Sequence, residues 1–231
     1  MAVTSVARYS PLALYRTTVG KKVVMAGSGL MLLGYVVVHM LGNLKVFTGE
    51  SHFDEYAEFL RRIGIPLLGH SWFLWGMRML LLVAVIAHII SAVQLTRLSR
   101  EARPIRYART ATVDASYAAK TMRWGGLTIA LFVIYHILHL TTGTAHPAFV
   151  HGKPYGNIVA GFQVWYVSAF YCLAMLALGA HLHHGIWSTF QTLGVRPAKE
   201  RLIRRAAMTT AAVVTLGFVS VPAAVMTGIL A

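Results

Sequence analysis

The sequence predicts an all-α membrane protein with five transmembrane helices, and three observations carry that prediction. Hydrophobic residues make up 57% of the 231 positions and charged residues 12%, a balance far from that of soluble domains. Five apolar stretches, near 23–45, 72–97, 122–143, 159–192 and 206–230, each reach about 20 residues or more, enough to cross a hydrocarbon core of about 30 Å. The formal net charge of +14 is concentrated in alternate connections between those stretches. No connection is long enough for a soluble domain, so residues 1–231 read as a single transmembrane domain.

The first stretch follows Arg8, Arg16, Lys21 and Lys22 and runs to about Leu44, too long for the apolar core of a secretory signal, so it is expected to stay as a spanning helix. Between the first and second stretches, "FDEYAEFLRRIG" has Phe53, Tyr56, Phe59 and Leu60 on one helical face, the pattern of a short amphipathic helix lying on the surface. Gly49, Gly64 to Pro66, Pro104, Pro147, Pro154 and Gly194 to Pro197 punctuate the connections. The fourth stretch exceeds what a crossing needs, which predicts tilt or projection beyond the lipid. Trp72, Trp75, Trp165 and Tyr166 at one boundary and Trp124 and Trp187 at the other read as interfacial belts. The single cysteine, Cys172, rules out a disulfide framework and a Cys-x-x-Cys-His attachment site, leaving coordination and packing to hold any cofactor.

Charge sets the expected orientation. Four Lys/Arg precede the first stretch. Seven follow the second (Arg97, Arg100, Arg103, Arg106, Arg109, Lys120, Arg123) and five follow the fourth (Arg196, Lys199, Arg201, Arg204, Arg205). The other side carries only Lys45, Arg61, Arg62 and Lys153, with Arg78 near a helix end. The positive-inside bias therefore predicts a cytoplasmic N-terminus and an external C-terminus. The basic face suits anionic lipid and a soluble protein partner. Nucleic acid is not an expected ligand, since no soluble domain carries it.

Of eleven histidines, His52, His70, His146 and His151 fall in or beside the external loops and need no special role. The rest lie in the apolar stretches, where an imidazole is costly and usually faces the bundle interior. Each of the first four stretches supplies a candidate: His39, His88, His136 or His139, and His181 or His184. Depth sorts them into two levels. His39 lies about 24 Å along its helix from the cytoplasmic end, and His136 is also past the middle; His88 lies about 13 Å from the basic turn, and His181 is at a similar depth. Two histidines from facing helices at matched depth is the arrangement that axially ligates a b-type haem. Two levels imply two haems.

Helical spacing narrows "HLHH". At about 100° per residue His184 lies on the same side as His181, whereas His183 points away and is not an expected ligand. His136 and His139 stand in the same three-residue relation, so the third and fourth helices each offer a ligand and a neighbour. The neighbour is suited to hydrogen-bond a propionate, a quinone or a backbone carbonyl. Ser28 and Gly125, each eleven residues before a candidate ligand, leave space for a porphyrin three turns away, or simply let helices pack. Arg78 is placed to pair with propionates or to snorkel to the interface.

Four segments, "VVHMLGNLKVF", "AHIISAVQLTR", "MRWGGLTIALFVIYHILHLT" and "HLHHGIWSTFQTLG", taken in this order, resemble the cytochrome b membrane-anchor subunit of succinate:quinone oxidoreductases. The nearest form is the five-helix, two-haem, single-chain anchor of bacterial succinate dehydrogenases and fumarate reductases. The resemblance runs from about residue 15 to the end. It implies that His39 and His136 ligate the haem distal to the soluble subunits and that His88 and His181 ligate the proximal one. It prefers His136 to His139, and His181 to His184, leaving His139, His184, Ser28, Arg78 and Gly125 in supporting positions.

The resemblance further implies a flavoprotein and an iron–sulfur protein docked on the cytoplasmic face of a bacterial inner membrane. Succinate would be oxidised on those partners, with no dicarboxylate site on this chain, and electrons would reach a quinone, by expectation menaquinone. One departure stands out: where relatives that conduct protons carry a carboxylate just before the fourth-helix ligand, this chain has Gly179 and Ala180. Two rival readings follow from the same histidines. One is the cytochrome b of a quinone-linked hydrogenase, formate dehydrogenase or nitrate reductase. The other is a haem-free transporter, which the lack of carboxylates, broken helices and an inverted repeat in the sequence disfavours.

Overall fold

A computed structural model describes residues 11–102, 113–192, 194 and 200–231. The described residues are helical, with no strand among them. In chain order they form α1 (Pro11–Arg16), α2 (Thr18–Leu44), a 3-10 turn (Lys45–Thr48), α3 (Glu50–Arg62), α4 (Trp72–Glu101), α5 (Val113–His136), a π-helical turn (Ile137–Thr141), α6 (Pro154–Phe162), α7 (Trp165–Thr192) and α8 (Glu200–Met226). Five segments are long and apolar enough to cross a membrane: Thr18–Thr48, Trp72–Glu101, Met122–Thr141, Trp165–Thr192 and Glu200–Met226. Arg8, Arg103, Arg106, Arg109, Arg196 and Lys199 lie outside the described residues. The end of the bundle where α1, the end of α4 and the start of α8 gather is called here the basic end. The opposite, far end carries α3 and α6.

Local chemistry fixes where the helices begin. The Thr17 hydroxyl accepts from the Gly20 N–H at 2.9 Å and caps α2 five residues before the apolar run starts, so Lys21 and Lys22 fall inside the helix. Lys21 then donates to the Tyr15 and Arg16 carbonyls at 3.2 and 2.9 Å, satisfying the end of α1. α8 likewise starts before the apolar run, on a polar turn where Arg204 pairs with Glu200 at 2.8 Å. At the far end of α2, Gly49 adopts φ 95°, a left-handed conformation that lets the chain turn sharply into α3. Phe53 of α3 is buried, whereas Phe59 stays 60% exposed, so the amphipathic face is narrower than the sequence spacing suggests.

The expected fourth stretch is two helices, not one. Pro154 opens α6 at a position where its missing N–H costs nothing. The Tyr155 N–H, left without an intrahelical partner, donates to Asp54 of α3 at 3.0 Å. At the other end the Ser168 hydroxyl donates to the Phe162 carbonyl at 2.6 Å, replacing a helical bond there and letting α7 leave in a new direction. Asn157 ties the preceding loop to α6, accepting from the Val150 N–H at 2.8 Å and donating to the Val150 carbonyl at 2.9 Å.

The packing is uneven, and the unevenness defines the site. α7 and α8 lie closest, and at Gly179 a side chain would run into the Thr215 hydroxyl; α8 also presses on α2, where a side chain at Gly217 would run into the thioether of Met40. Around them Val46, Phe53, Phe132, Ile158, Phe162, Tyr171 and Val221 form a buried cluster at the far end. Leu82, Val83, Leu131, Leu173 and Leu216 project outward instead, as a lipid-facing surface requires. Among the four helices bearing intramembrane histidines, α2 packs along α4 and α5 along α7, with α2 also touching α7. Among the described residues, α4 makes almost no contact with α5 or α7, and α2 almost none with α5. Two helix pairs thus stand side by side with a slot between them.

Candidate functional site

Histidine rings cross that slot at two levels. Toward the far end, His39 of α2 and His136 of α5 approach with ring centroids 5.9 Å apart and planes at 79°. Toward the basic end, His88 of α4 and His181 of α7 approach at 6.2 Å and 68°. Gly29, beside the basic-end pair, and His39, in the far pair, are ten residues apart on α2, about 15 Å along the axis. Each pair joins one helix of the first half to one of the second.

The rings of the basic-end pair are tightly seated. Nδ1 of His88 lies 3.2 Å from the Met25 carbonyl and 3.3 Å from the Ser28 hydroxyl, which itself donates to the Val24 carbonyl at 2.7 Å. An Nδ1–H donating to Met25 leaves the Nε2 lone pair free, the tautomer that metal-bound histidines adopt. The backbone at Gly29 lies against the His88 ring, where even a Cβ would come within 3.2 Å of Cε1. Gly126 stands in the same way near His181, at 3.7 Å. Nδ1 of His181 is buried without a hydrogen-bond partner, although the Met122 backbone lies close by. Ser28 therefore touches the His88 ring directly. Gly125 faces the Ala177 carbonyl of α7, and its neighbour Gly126 is the residue beside the ring.

Aromatic rings wall the far pair. Tyr35 stacks on His39 at 5.3 Å, and Phe218 of α8 lies 5.8 Å from the same ring. Phe132 and Tyr171 flank His136 at 5.7 and 6.0 Å. The Asn43 amide nitrogen is 3.4 Å from both ring nitrogens of His39 and donates to its backbone carbonyl at 2.7 Å. Arg78 is exposed at the far end of α4, its guanidinium 4.8 Å over the Trp75 ring and within electrostatic reach of Tyr35. It lies on the side of the bundle that holds the far pair.

The remaining histidines divide clearly. His139, only 1% exposed, stacks on His146 at 4.7 Å and on Tyr135 at 5.3 Å, and its Nδ1 lies 3.0 Å from the Tyr171 hydroxyl. The cause is the π-helical turn: the Thr142 N–H reaches the carbonyl of Ile137, five residues back, and the widened turn rotates His139 further from the His136 face than α-helical spacing would. His146, expected to be an unremarkable loop residue, is buried: its Nδ1 accepts from the Ala148 N–H at 3.1 Å and its Nε2 donates to the Asn157 carbonyl at 2.9 Å. His183 and His184 lie 5.2 Å from each other, and neither joins the His88–His181 contact. His183 has a buried Nδ1 without a partner.

Asn43, Tyr171 and His146 escaped the sequence reading. For Asn43 a signal existed, since a residue four positions after His39 shares its face. Tyr171 and His146 come from other elements, and no spacing within one helix points to them.

The donor set discriminates among metals. Among the described residues there is no group of three or more His, Cys, Asp or Glu side chains able to hold a metal ion, and from Leu60 to Arg100 and from Ala115 to Lys199 the sequence has no carboxylate. A bare divalent ion needs three or four protein ligands. Two opposed neutral imidazoles instead suit an iron already held in its equatorial plane by a macrocycle. With metal–nitrogen bonds of about 2 Å on either side, the ring centroids of such a pair stand about 6 Å apart, as both observed pairs do. No protein-family model, curated protein or solved structure matches this chain.

Proposed function

We propose that this chain is a membrane-anchor cytochrome b that holds two b-type haems, one between His39 and His136 and one between His88 and His181. A single observation carries the reading: two imidazole pairs, 5.9 and 6.2 Å apart, span the slot by joining helices that otherwise hardly touch, α2 to α5 and α4 to α7. His88 adds support, because its Nδ1 contact with the Met25 carbonyl leaves the Nε2 lone pair free to ligate. The enclosed setting of His139 favours His136, and the ring contact of His181 with His88 favours His181, as the ligands. Bound haem supplies one-electron transfer at a potential set by its surroundings. The residues of this chain supply axial ligation, an apolar wall of Tyr35, Phe132 and Phe218, and a path about 15 Å long between the two levels.

The four-segment resemblance supports a more specific role: anchor subunit of a bacterial succinate:quinone oxidoreductase, with flavoprotein and iron–sulfur partners on a cytoplasmic basic face. Electrons would pass from the iron–sulfur partner to a quinone, taken to be menaquinone, and no dicarboxylate chemistry occurs on this chain. The described Arg97, Arg100, Arg123, Arg201, Arg204 and Arg205 cluster at one end, which fits such docking and a cytoplasmic N-terminus. A reduced-minus-oxidised spectrum of the chain purified with its native partners tests both levels. The expected result is b-type absorbance together with covalent or tight flavin and iron–sulfur signals that respond to succinate. Absence of b-type absorbance removes the haem reading, and b-type absorbance with hydrogen or formate as donor in place of succinate redirects it to another respiratory complex.

A further inference from the structure

Resting on the haem reading above, we propose that Tyr171 is the positioning residue for the far-end haem, set between its ligand His136 and the buried His139. The Tyr171 hydroxyl lies 3.4 Å from Nδ1 of His136 and 3.0 Å from Nδ1 of His139, and the three side chains come from α5, the π-helical turn and α7. Both Tyr171 and His139 are buried, so no solvent competes for these contacts.

The chemistry of the groups fixes the direction of each bond. A neutral histidine that gives its Nε2 lone pair to a metal carries its proton on Nδ1. Nδ1 of His136 therefore donates, and the Tyr171 oxygen accepts. The hydroxyl has one proton of its own and passes it toward Nδ1 of His139, which accepts and so carries its proton on Nε2. The 3.4 Å separation is long for a hydrogen bond, and a protonated Nδ1 on His136 is what makes it a donor–acceptor pair.

His139 is held as a fixed acceptor. Tyr135 and His146 stack on it with planes inclined by only 11° and 24°. The backbone of Gly161 in α6 closes its edge, where even a Cβ would come 2.8 Å from Cε1. His146 is locked in turn by the Ala148 N–H and the Asn157 carbonyl, so the chain of contacts ends on the rigid loop that α6 anchors. The far haem would then have its ligand oriented by a sequence of fixed groups, whereas the basic-end haem relies on a backbone carbonyl at His88.

The test is a redox titration and low-temperature EPR spectrum of the purified native complex carrying Tyr171→Phe. The far haem is identified as the potential missing from a His136→Ala variant. Without the hydroxyl, Nδ1–H of His136 loses its acceptor and the ligand becomes less basic, so the far potential shifts upward and its EPR g-value changes, while the basic-end haem keeps both. His139→Leu shifts the same haem in the same direction by less, and His139→Gln, which retains an acceptor oxygen, restores wild-type values. Tyr171→Phe leaving both haems at wild-type potentials, or moving the two equally, overturns the proposal. Should Tyr171→Phe lose both haems through misfolding, the His139 pair decides: a far-haem shift in Leu rescued by Gln upholds it, and no difference between Leu and Gln overturns it. A wild-type complex with no b-type haem overturns the underlying haem reading as well and is recognised before any variant is made.

Discussion

His88 shows how much of this site is decided by single atoms. Its ring is pressed on the Gly29 backbone and tethered to Met25 and Ser28, so it has little room to turn. Gly29→Val adds bulk where even a methyl is tight, and the expected outcome is loss or strong perturbation of one of two b-type signals, the basic-end one, read by spectral titration. His183→Leu removes a buried nitrogen that has no partner, and an apolar residue of similar volume there is neutral or slightly stabilising. Both haems and the thermal midpoint should survive it. Which rings become neighbours was legible in the sequence, because depth along a helix is a count of residues. Helix rotation was less so: an eleven-residue spacing names a face only to within a residue, which is why Gly126 rather than Gly125 meets His181 and why Ser28 hydrogen-bonds His88.

At the scale of elements, the break between α6 and α7 was the main feature hidden from the sequence. Residues 159–192 are apolar throughout, and hydropathy registers length without registering a change of direction. The break depends on the Ser168 hydroxyl reaching back to Phe162, and a serine in an apolar run also fits an uninterrupted helix. Ser168→Ala leaves the buried Phe162 carbonyl short of a donor, at a cost of about 1–3 kcal/mol. A lower thermal midpoint in detergent with both haems retained is the expected result. The π-helical turn after His136 is a second hidden element, since periodicity assumes the α-helical repeat. It is this turn that separates His136 from His139, a choice the three-residue spacing left open and only family resemblance narrowed.

For the molecule as a whole, composition and charge pattern were enough to indicate five apolar helices and one basic end. The slot was not legible, because it arises from where helices fail to pack. Its existence makes the fold dependent on whatever fills it. Two half-bundles held together mainly where α2 meets α7 and α8 and where α3 meets α6 would gain from a ligand bound only in the folded state, by about 2.7 kcal/mol when that ligand stands a hundredfold above its dissociation constant. Chain produced in haem-deficient cells should therefore melt at a lower temperature and be cut faster by protease than chain from haem-replete cells. Equal stability in the two preparations would mean that the slot closes by itself.

The most direct measurement is the number of b-type haems per polypeptide in the purified chain, its His39→Ala variant and its His88→Ala variant. Ligation by two opposed imidazole pairs predicts two haems in the first and one in each of the others, with the surviving haem differing between the two variants. A folded wild-type chain containing no haem, or variants that each keep both, would contradict it.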